Sequence, residues 1–74
     1  MTHRFPIGTK FETVKKVGTK HIRTAHVVTE QMTVTNSKGE VVRRYYEAEH
    51  EFCGQMVTDH DVCDTTIARG SGLF

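Results

Sequence analysis

Residues 21–52 have the sequence HIRTAHVVTEQMTVTNSKGEVVRRYYEAEHEF, and this stretch decides the fold class. Thr, Val and Ile are dense in its first half, and branched side chains of this kind fit a pleated strand better than a helix. Asn36 and Gly39 bound the NSKG segment, where glycine supplies the positive φ that hairpin loops of three or four residues usually need. The stretch therefore predicts two strands joined as a hairpin.

Alternation within this hairpin predicts which side chains are buried. In residues 40–52, one side carries the mainly apolar set Val42, Tyr46, Ala48 and Phe52. The side that we expect to face solvent carries Val41, Arg43, Tyr45, Glu47, Glu49 and Glu51. In the preceding strand the apolar even positions are Ile22, Val28, Met32 and Val34. Val27 breaks that phase, which predicts a bulge or a strong bend near Val27 and Val28.

Shorter elements flank the hairpin on both sides. Residues 10–17 predict a first strand, and a turn at Gly18 connects it to the hairpin. After Gly54, which allows a sharp change of direction, residues 55–58 predict a short fourth strand. Five strands result when a last strand over residues 65–69 is added.

One helical turn is expected before the last strand. Thr58 and Asp61 have the spacing of a capping box, which predicts a turn of helix over residues 59–63. We expect one domain over residues 1–74, with its core at about 7–69 and a flexible tail at 70–74.

This order of elements resembles the small SH3-like barrels, a class that includes KOW-type modules. The stretches that carry the resemblance are FPIGT at 5–9, NSKG at 36–39 and VTDHDVCDTTI at 57–67. The resemblance covers nearly the whole chain and rests on order and spacing. It implies an all-β fold, a five-stranded SH3-like barrel with one short helical turn before the last strand.

Length and composition limit the size of the core. The chain has 74 residues, of which 36% are hydrophobic. A chain this short buries only roughly 60% of the surface that its unfolded form exposes, so its stability margin is thin. We therefore expect a closed barrel, a metal or self-association to supplement the core.

The absence of a long apolar run bears on the compartment. The sequence contains no stretch that approaches the roughly 18 apolar residues needed to cross a bilayer, nor an apolar run of signal-peptide length near residue 1. We expect a cytoplasmic protein without a membrane partner. In that compartment, the two cysteines should be thiols rather than a disulfide.

Charge is distributed unevenly along the sequence. Residues 1–44 contain nine Lys and Arg against three Glu, a net charge of +6. Residues 45–74 contain one arginine against six acidic residues, a net charge of −5. Such asymmetry can form a basic face for nucleic acid, an acidic face for a basic partner, or a head-to-tail self-contact, unless interleaved strands mix the two halves.

The leading functional hypothesis is a binding module for nucleic acid without enzymatic activity or a cofactor. Cations and an aromatic ring on one surface neutralise phosphates and stack on bases. The candidate residues are Lys15, Lys16, Lys20 and Arg23 beside the first turn, and Arg43, Arg44 and Tyr45 in the third strand. Because adjacent strand residues face opposite ways, Arg43 and Tyr45 are expected to point outward together.

A second hypothesis uses the acidic half of the chain. The protein would then be an interaction module or a small inhibitor that binds a basic partner surface through residues 47–64. A homodimer is compatible with either hypothesis, since exposed sheet edges invite pairing. The sequence leaves open the partner, the choice among DNA, RNA and protein, and the oligomeric state.

Two histidine and cysteine pairs recur with one spacing, His50xxCys53 and His60xxCys63. Four residues of metal-ligand type raise the alternative of a zinc-stabilised module, in which His50, Cys53, His60 and Cys63 would be the tentative ligands. The span between the pairs is shorter than in common zinc modules, so no metal is expected. We expect both cysteines to be reduced and largely buried, and neither to be a catalytic nucleophile.

Overall fold

The structure is a computed structural model that describes residues 3–72. Four strands form one antiparallel sheet in the order in which they follow along the chain. The strands are β1 (Lys10–Val17), β2 (Lys20–Thr35), β3 (Val41–Phe52) and β4 (Gln55–Val62), and a helix follows, α1 (Asp64–Gly70). The described chain is therefore mostly β, as the sequence predicts.

The predicted hairpin is formed by β2 and β3. The side-chain oxygen of Asn36 accepts hydrogen bonds from the backbone N–H groups of Lys38 and Glu40, at 2.9 and 3.1 Å. Gly39 has the positive φ, 80°, that closes the loop. The turn chemistry of NSKG is confirmed.

The predicted irregularity of β2 is present one residue further along. The pairing of β2 with β3 shifts between Val28 and Glu30, where β2 contains an extra residue. The extra residue reverses the alternation, so that Met32 and Val34 lie on the face opposite Val28. The four apolar even positions therefore do not share one face.

The core lies on one face of the sheet. Strand residues contribute the buried side chains of Phe11, Val28, Tyr46, Ala48 and Val62. The segment before β1 adds Phe5, and α1 adds Ile67 and Ala68. Eight apolar side chains form this cluster among the described residues, which agrees with the expectation of a small core that includes Tyr46 and Ala48. The prediction is wrong for Val42 and Phe52, which are 59% and 63% exposed. The core begins before residue 7, because Phe5 belongs to it.

The predicted order of the last two elements is wrong. Residues 59–62 belong to β4, where Val62 pairs with Tyr46, and residues 65–69 are helical. Ile67 and Ala68 are adjacent and both fully buried. A strand sends adjacent side chains to opposite faces, whereas a helix can turn both toward a core that lies against it. The sheet accordingly has four strands within residues 3–72.

The sheet is open, so the prediction of a five-stranded barrel is also wrong. Within residues 3–72, β1 and β4 are the two edges and no ladder joins them. The chain continues from β4 into α1, which packs against β1. A methyl group at Gly70 would lie 2.2 Å from the carbonyl oxygen of Glu12, so the helix reaches backbone contact with the strand. The helix α1 thus packs against β1, where a closed barrel would pair β1 with its last strand.

Gly70 therefore ends the helix and does not begin a loose tail. Residues 73 and 74 of the predicted tail lie outside the described residues. No helix between residues 3 and 72 is long and apolar enough to cross a membrane.

Candidate functional site

The end of the β1–β2 hairpin, residues 14–23, forms a two-stranded arm that we call the basic ribbon. All ten of its residues are exposed. Its cations are four of the predicted site residues, Lys15, Lys16, Lys20 and Arg23, and it contains no acidic residue. The predicted first group of site residues is thus brought together.

The ribbon presents positive charge on both of its faces. Lys16 pairs with His21, and Val14 pairs with Arg23, so Lys16 and Arg23 share one face. Lys15 and Lys20 lie on the other face. Apolar side chains are interleaved with the cations, and Val14, Val17 and Ile22 are 58%, 50% and 50% exposed. The ribbon adds nothing to the core.

The second predicted group lies in the first half of β3. The guanidinium group of Arg43 lies over the ring of Tyr45, 4.9 Å from its centroid, which confirms that these two side chains point outward together. Arg43 also forms an ion pair with Asp61. Arg44, the next residue, faces the other side of the sheet opposite Thr33.

The structure does not bring the two groups into one patch. Arg43 and Tyr45 pair with Val34 and Met32 near the end of β2, whereas the ribbon lies at the start of β2. At a strand rise of about 3.3 Å per residue, the nine steps from Arg23 to Met32 separate the groups by about 30 Å. The two groups are therefore separate candidate surfaces.

A different group of side chains converges on the face of the sheet that carries the core. His26 on β2, His50 on β3 and Asp59 on β4 bring their ligand-type atoms within 4.8 Å of one another. His26 Nδ1 donates to Asp59 Oδ2 at 2.7 Å. His50 Nδ1 lies 2.9 Å from Oδ1 and 3.0 Å from Oδ2 of the same carboxylate. We call these three residues the His–Asp cluster.

The surroundings of His26 hold its ring in place. Phe11 stacks on it with a centroid distance of 4.9 Å and an interplanar angle of 8°. The hydroxyl of Thr13 lies 2.7 Å from Nε2. The ring is 8% exposed, while His50 and Asp59 are 17% and 21% exposed. The cluster is therefore largely removed from water but reachable from one side.

A groove lies beside the cluster, where side chains of β1, β4 and α1 approach one another. It has a volume of about 410 Å³. Its lining includes Phe11, Thr13, His26, Thr58, Asp59 and Thr66. Hydroxyl, imidazole and carboxylate groups thus face a space large enough for several waters or a small ligand.

The tentative zinc ligands of the sequence are not assembled into one site. His50 belongs to the His–Asp cluster, whereas His60 bonds to Glu47. Cys53 lies in the turn between β3 and β4, and Cys63 follows the other end of β4. An eight-residue strand between the cysteines places them about 25 Å apart, too far to share an ion or a disulfide.

Both cysteines are free thiols and both are exposed, so the prediction of burial is wrong. Cys53 and Gly54 have positive φ values of 52° and 79°, and this two-residue loop projects the thiol outward. Cys63 lies 3.3 Å from the hydroxyl of Thr66. Hydrogen bonds from that hydroxyl and from the Thr66 backbone N–H lower the pKa of the Cys63 thiol.

Sequence reasoning missed His26 and placed Asp59 in the predicted helical turn over residues 59–63. The signal was weak but present, because His26 has the same parity as Val28, the buried residue of its strand. Once β3 and β4 are paired through a two-residue turn at 53–54, the pairing places Asp59 opposite Ala48, a core position. The convergence depends on that register, which the predicted helical turn concealed.

Comparison of the chain with protein-family models, with curated proteins and with solved structures gave no match. The resemblance to KOW-type modules stays a prediction.

Proposed function

We propose that this protein is a non-enzymatic binding module that binds nucleic acid through the basic ribbon. The observation that carries the proposal is the contrast between its cations and Arg43. Arg43 pairs with Asp61. Within residues 3–72, no carboxylate forms an ion pair with the cations of the ribbon. Their charge is available for an external anion.

The shape of the ribbon favours duplex DNA as that anion. A two-stranded antiparallel ribbon fits the major groove of B-form DNA, whereas the major groove of A-form RNA is too deep and narrow for it. Cations on both faces of the ribbon can then contact phosphates on both walls of the groove. The exposed Val14, Val17 and Ile22 would lie against the groove interior and the thymine methyl groups.

The salt dependence of binding provides a direct test. Fluorescence anisotropy of a labelled duplex of about 20 base pairs would give the affinity at several salt concentrations. Four phosphate contacts predict a slope of log K against log salt of about −3.6. Replacing Lys16 or Lys20 by alanine should each reduce the slope by about 0.9, because one counterion fewer is released.

Lys38→Ala is the matched control, since Lys38 is an exposed lysine in the turn at the other end of β2. It should leave the slope unchanged. Absence of binding at low salt would contradict the proposal, and so would an equal loss for Lys38→Ala and Lys16→Ala. A single-stranded RNA of equal length that bound more tightly than the duplex would contradict the choice of DNA.

One observation favours the second candidate, a module that binds a basic protein through its acidic half. Glu30 on β2 pairs directly with Glu47 on β3. Like charges in opposite positions destabilise a sheet unless cations lie nearby. Glu49 follows on the same face of β3. A basic partner surface would neutralise this face.

Capture of crosslinked partners with and without nuclease separates the two candidates. Recovery of nucleic acid, and loss of captured proteins after nuclease treatment, would support the ribbon proposal. Basic proteins that stay bound after nuclease, and that are lost from Glu30→Gln/Glu47→Gln but retained by Lys16→Ala, would support the acidic face.

A further inference from the structure

We propose that the His–Asp cluster is a binding site for a divalent transition-metal ion, with His26, His50 and Asp59 as its protein ligands. The three side chains come from three neighbouring strands, and their ligand atoms lie within 4.8 Å of one another. Two imidazole nitrogens and one carboxylate oxygen are a ligand set that Zn²⁺ and other first-row divalent metals accept.

The distances are close to those that a bound ion requires. Ligand atoms about 2.0–2.1 Å from a tetrahedral Zn²⁺ lie about 3.3 Å from one another. The carboxylate oxygens of Asp59 now lie 2.7–3.0 Å from the two Nδ1 atoms, and all three ligand positions fall within 4.8 Å. Movements of about 1 Å at each side chain therefore suffice, without any change of strand register.

Thr13 supplies the second-shell contact that a metal-binding histidine needs. Metal-ligating imidazoles almost always donate their other ring N–H to an acceptor, which fixes the tautomer. The Thr13 hydroxyl lies 2.7 Å from Nε2 of His26 and can accept that hydrogen, leaving the Nδ1 lone pair for the ion. Without an ion, the same hydroxyl donates to Nε2 while Nδ1 donates to Asp59. The Thr13 hydroxyl, the two ring nitrogens of His26 and the Asp59 carboxylate thus take part both with and without an ion.

The site has an open side. His26 and Asp59 line the groove of about 410 Å³, and Thr58 and Thr66 are also among its lining residues. Three protein ligands leave the fourth position of a tetrahedral ion facing this space, where water or a small anion would complete the coordination. The Phe11 ring stacks on His26 and limits the movement of the His26 imidazole.

A bound ion would stabilise this small fold. Its core holds eight apolar side chains among the described residues, and a chain of this size is often supplemented by a metal. Bonds to His26, His50 and Asp59 would join β2, β3 and β4 directly. Binding energy is then added to the free energy of unfolding, because the unfolded chain does not hold the three ligands together.

Titration of the metal-free chain tests the proposal. Protein treated with a chelator and then freed of it would be titrated with Co²⁺ and Zn²⁺ by visible absorption and by calorimetry. We expect one ion per chain, a tetrahedral Co²⁺ spectrum, and a rise of Tm on addition of Zn²⁺. Because the wild-type chain is used, the result does not depend on the folding of a variant.

Variants then assign the ligands. Asp59→Asn and His50→Gln keep the shape of the side chain and should weaken Zn²⁺ binding strongly, while Thr13→Val should weaken it about 10–100-fold as a second-shell change. His60→Gln is the matched control, because His60 forms the other histidine–carboxylate pair of β3 and β4 but lies on the surface. It should bind Zn²⁺ like wild type.

Two results would overturn the proposal. The first is a folded wild-type chain, verified by circular dichroism, that takes up less than one ion at millimolar Zn²⁺. The second is Asp59→Asn that binds Zn²⁺ as tightly as wild type. In either case the cluster is a hydrogen-bonded network only. DNA binding by the ribbon is measured independently, so each proposal can fail alone.

Discussion

The backbone N–H of Phe5 donates a hydrogen bond to the hydroxyl oxygen of Tyr46 at 3.2 Å, across 41 positions of sequence. Tyr46 is fully buried, and the side chain of Asp64, in the first turn of α1, lies close enough to its hydroxyl to raise the pKa of Tyr46. One side chain of β3 thus connects the segment before β1, the sheet and the helix.

Tyr46→Phe should therefore cost more stability than the loss of one oxygen suggests. The buried N–H of Phe5 would lose its acceptor, and unsatisfied buried donors cost about 1–3 kcal/mol. Urea unfolding followed by circular dichroism measures the change. Tyr45→Phe is the control, since it retains the ring beneath Arg43 and should change the free energy of unfolding by less than about 0.5 kcal/mol. Equal effects of the two substitutions would contradict the assigned role.

The stability of the protein should fall in alkaline solution because of the same residue. Burial, followed by the bond to Asp64, raises the pKa of Tyr46 above 10.0 in the folded state. Above the pKa of the unfolded tyrosine, the unfolded chain has lost a proton that the folded chain keeps. The free energy of unfolding then decreases by up to about 1.4 kcal/mol per pH unit until the folded pKa is passed.

Urea unfolding at several values between about pH 9 and pH 12 measures this slope. Tyr46→Phe removes the titrating group and should flatten it, whereas Tyr45→Phe should not. A slope that is identical in wild type and Tyr46→Phe would show that other groups cause the decrease.

Gly70→Ala should destabilise the protein although alanine favours helices. The added methyl group would meet the backbone oxygen and nitrogen of Glu12 at 2.2 and 2.7 Å, and backbone atoms cannot rotate away. The helix must move, which costs about 1–3 kcal/mol, more than the gain of about 1 kcal/mol in helix propensity. Thr65→Ala, at an exposed position of the same helix, should be neutral or stabilising. A Tm of Gly70→Ala at or above that of wild type would contradict the close packing.

Cys63 should react with alkylating reagents at a lower pH than an ordinary thiol. Its pKa is lowered chiefly by the hydroxyl of Thr66, so the reactive thiolate is more abundant at neutral pH. The rate of iodoacetamide reaction against pH, measured in a Cys53→Ser background, gives the midpoint. Thr66→Val should move that midpoint upward, while Thr65→Val should leave it close to its original value. A midpoint at or above 9.0 before Thr66 is changed would refute this explanation.

The hairpins could be predicted from sequence because their determinants are local. Asn36 and Gly39 specify one turn, and alternation assigns Tyr46 and Ala48 to the buried face. The helix was missed because Thr65, Thr66 and Ile67 favour strands, and docking of Ile67 against the sheet outweighs that preference. Tertiary contacts therefore determine that residues 64–70 form a helix.

Only part of the candidate site could be predicted from the sequence, for the same reason. The ribbon cations are neighbours in sequence, so their grouping followed from one hairpin. His26, His50 and Asp59 are neighbours only across the paired strands, and their meeting depends on the position of the β3–β4 turn. The cluster was missed because residues 59–63 were predicted as a helical turn, whereas β4 continues to Val62.

Glu12 and Thr13 join the basic ribbon to the covered part of β1. Gly70 approaches the backbone of β1 at Glu12. Thr13 is the last residue of β1 that is partly buried, and all later residues of this strand are exposed. The hydroxyl of Thr13 lies 2.7 Å from Nε2 of His26. One hydrogen bond therefore joins the base of the basic ribbon to the His–Asp cluster.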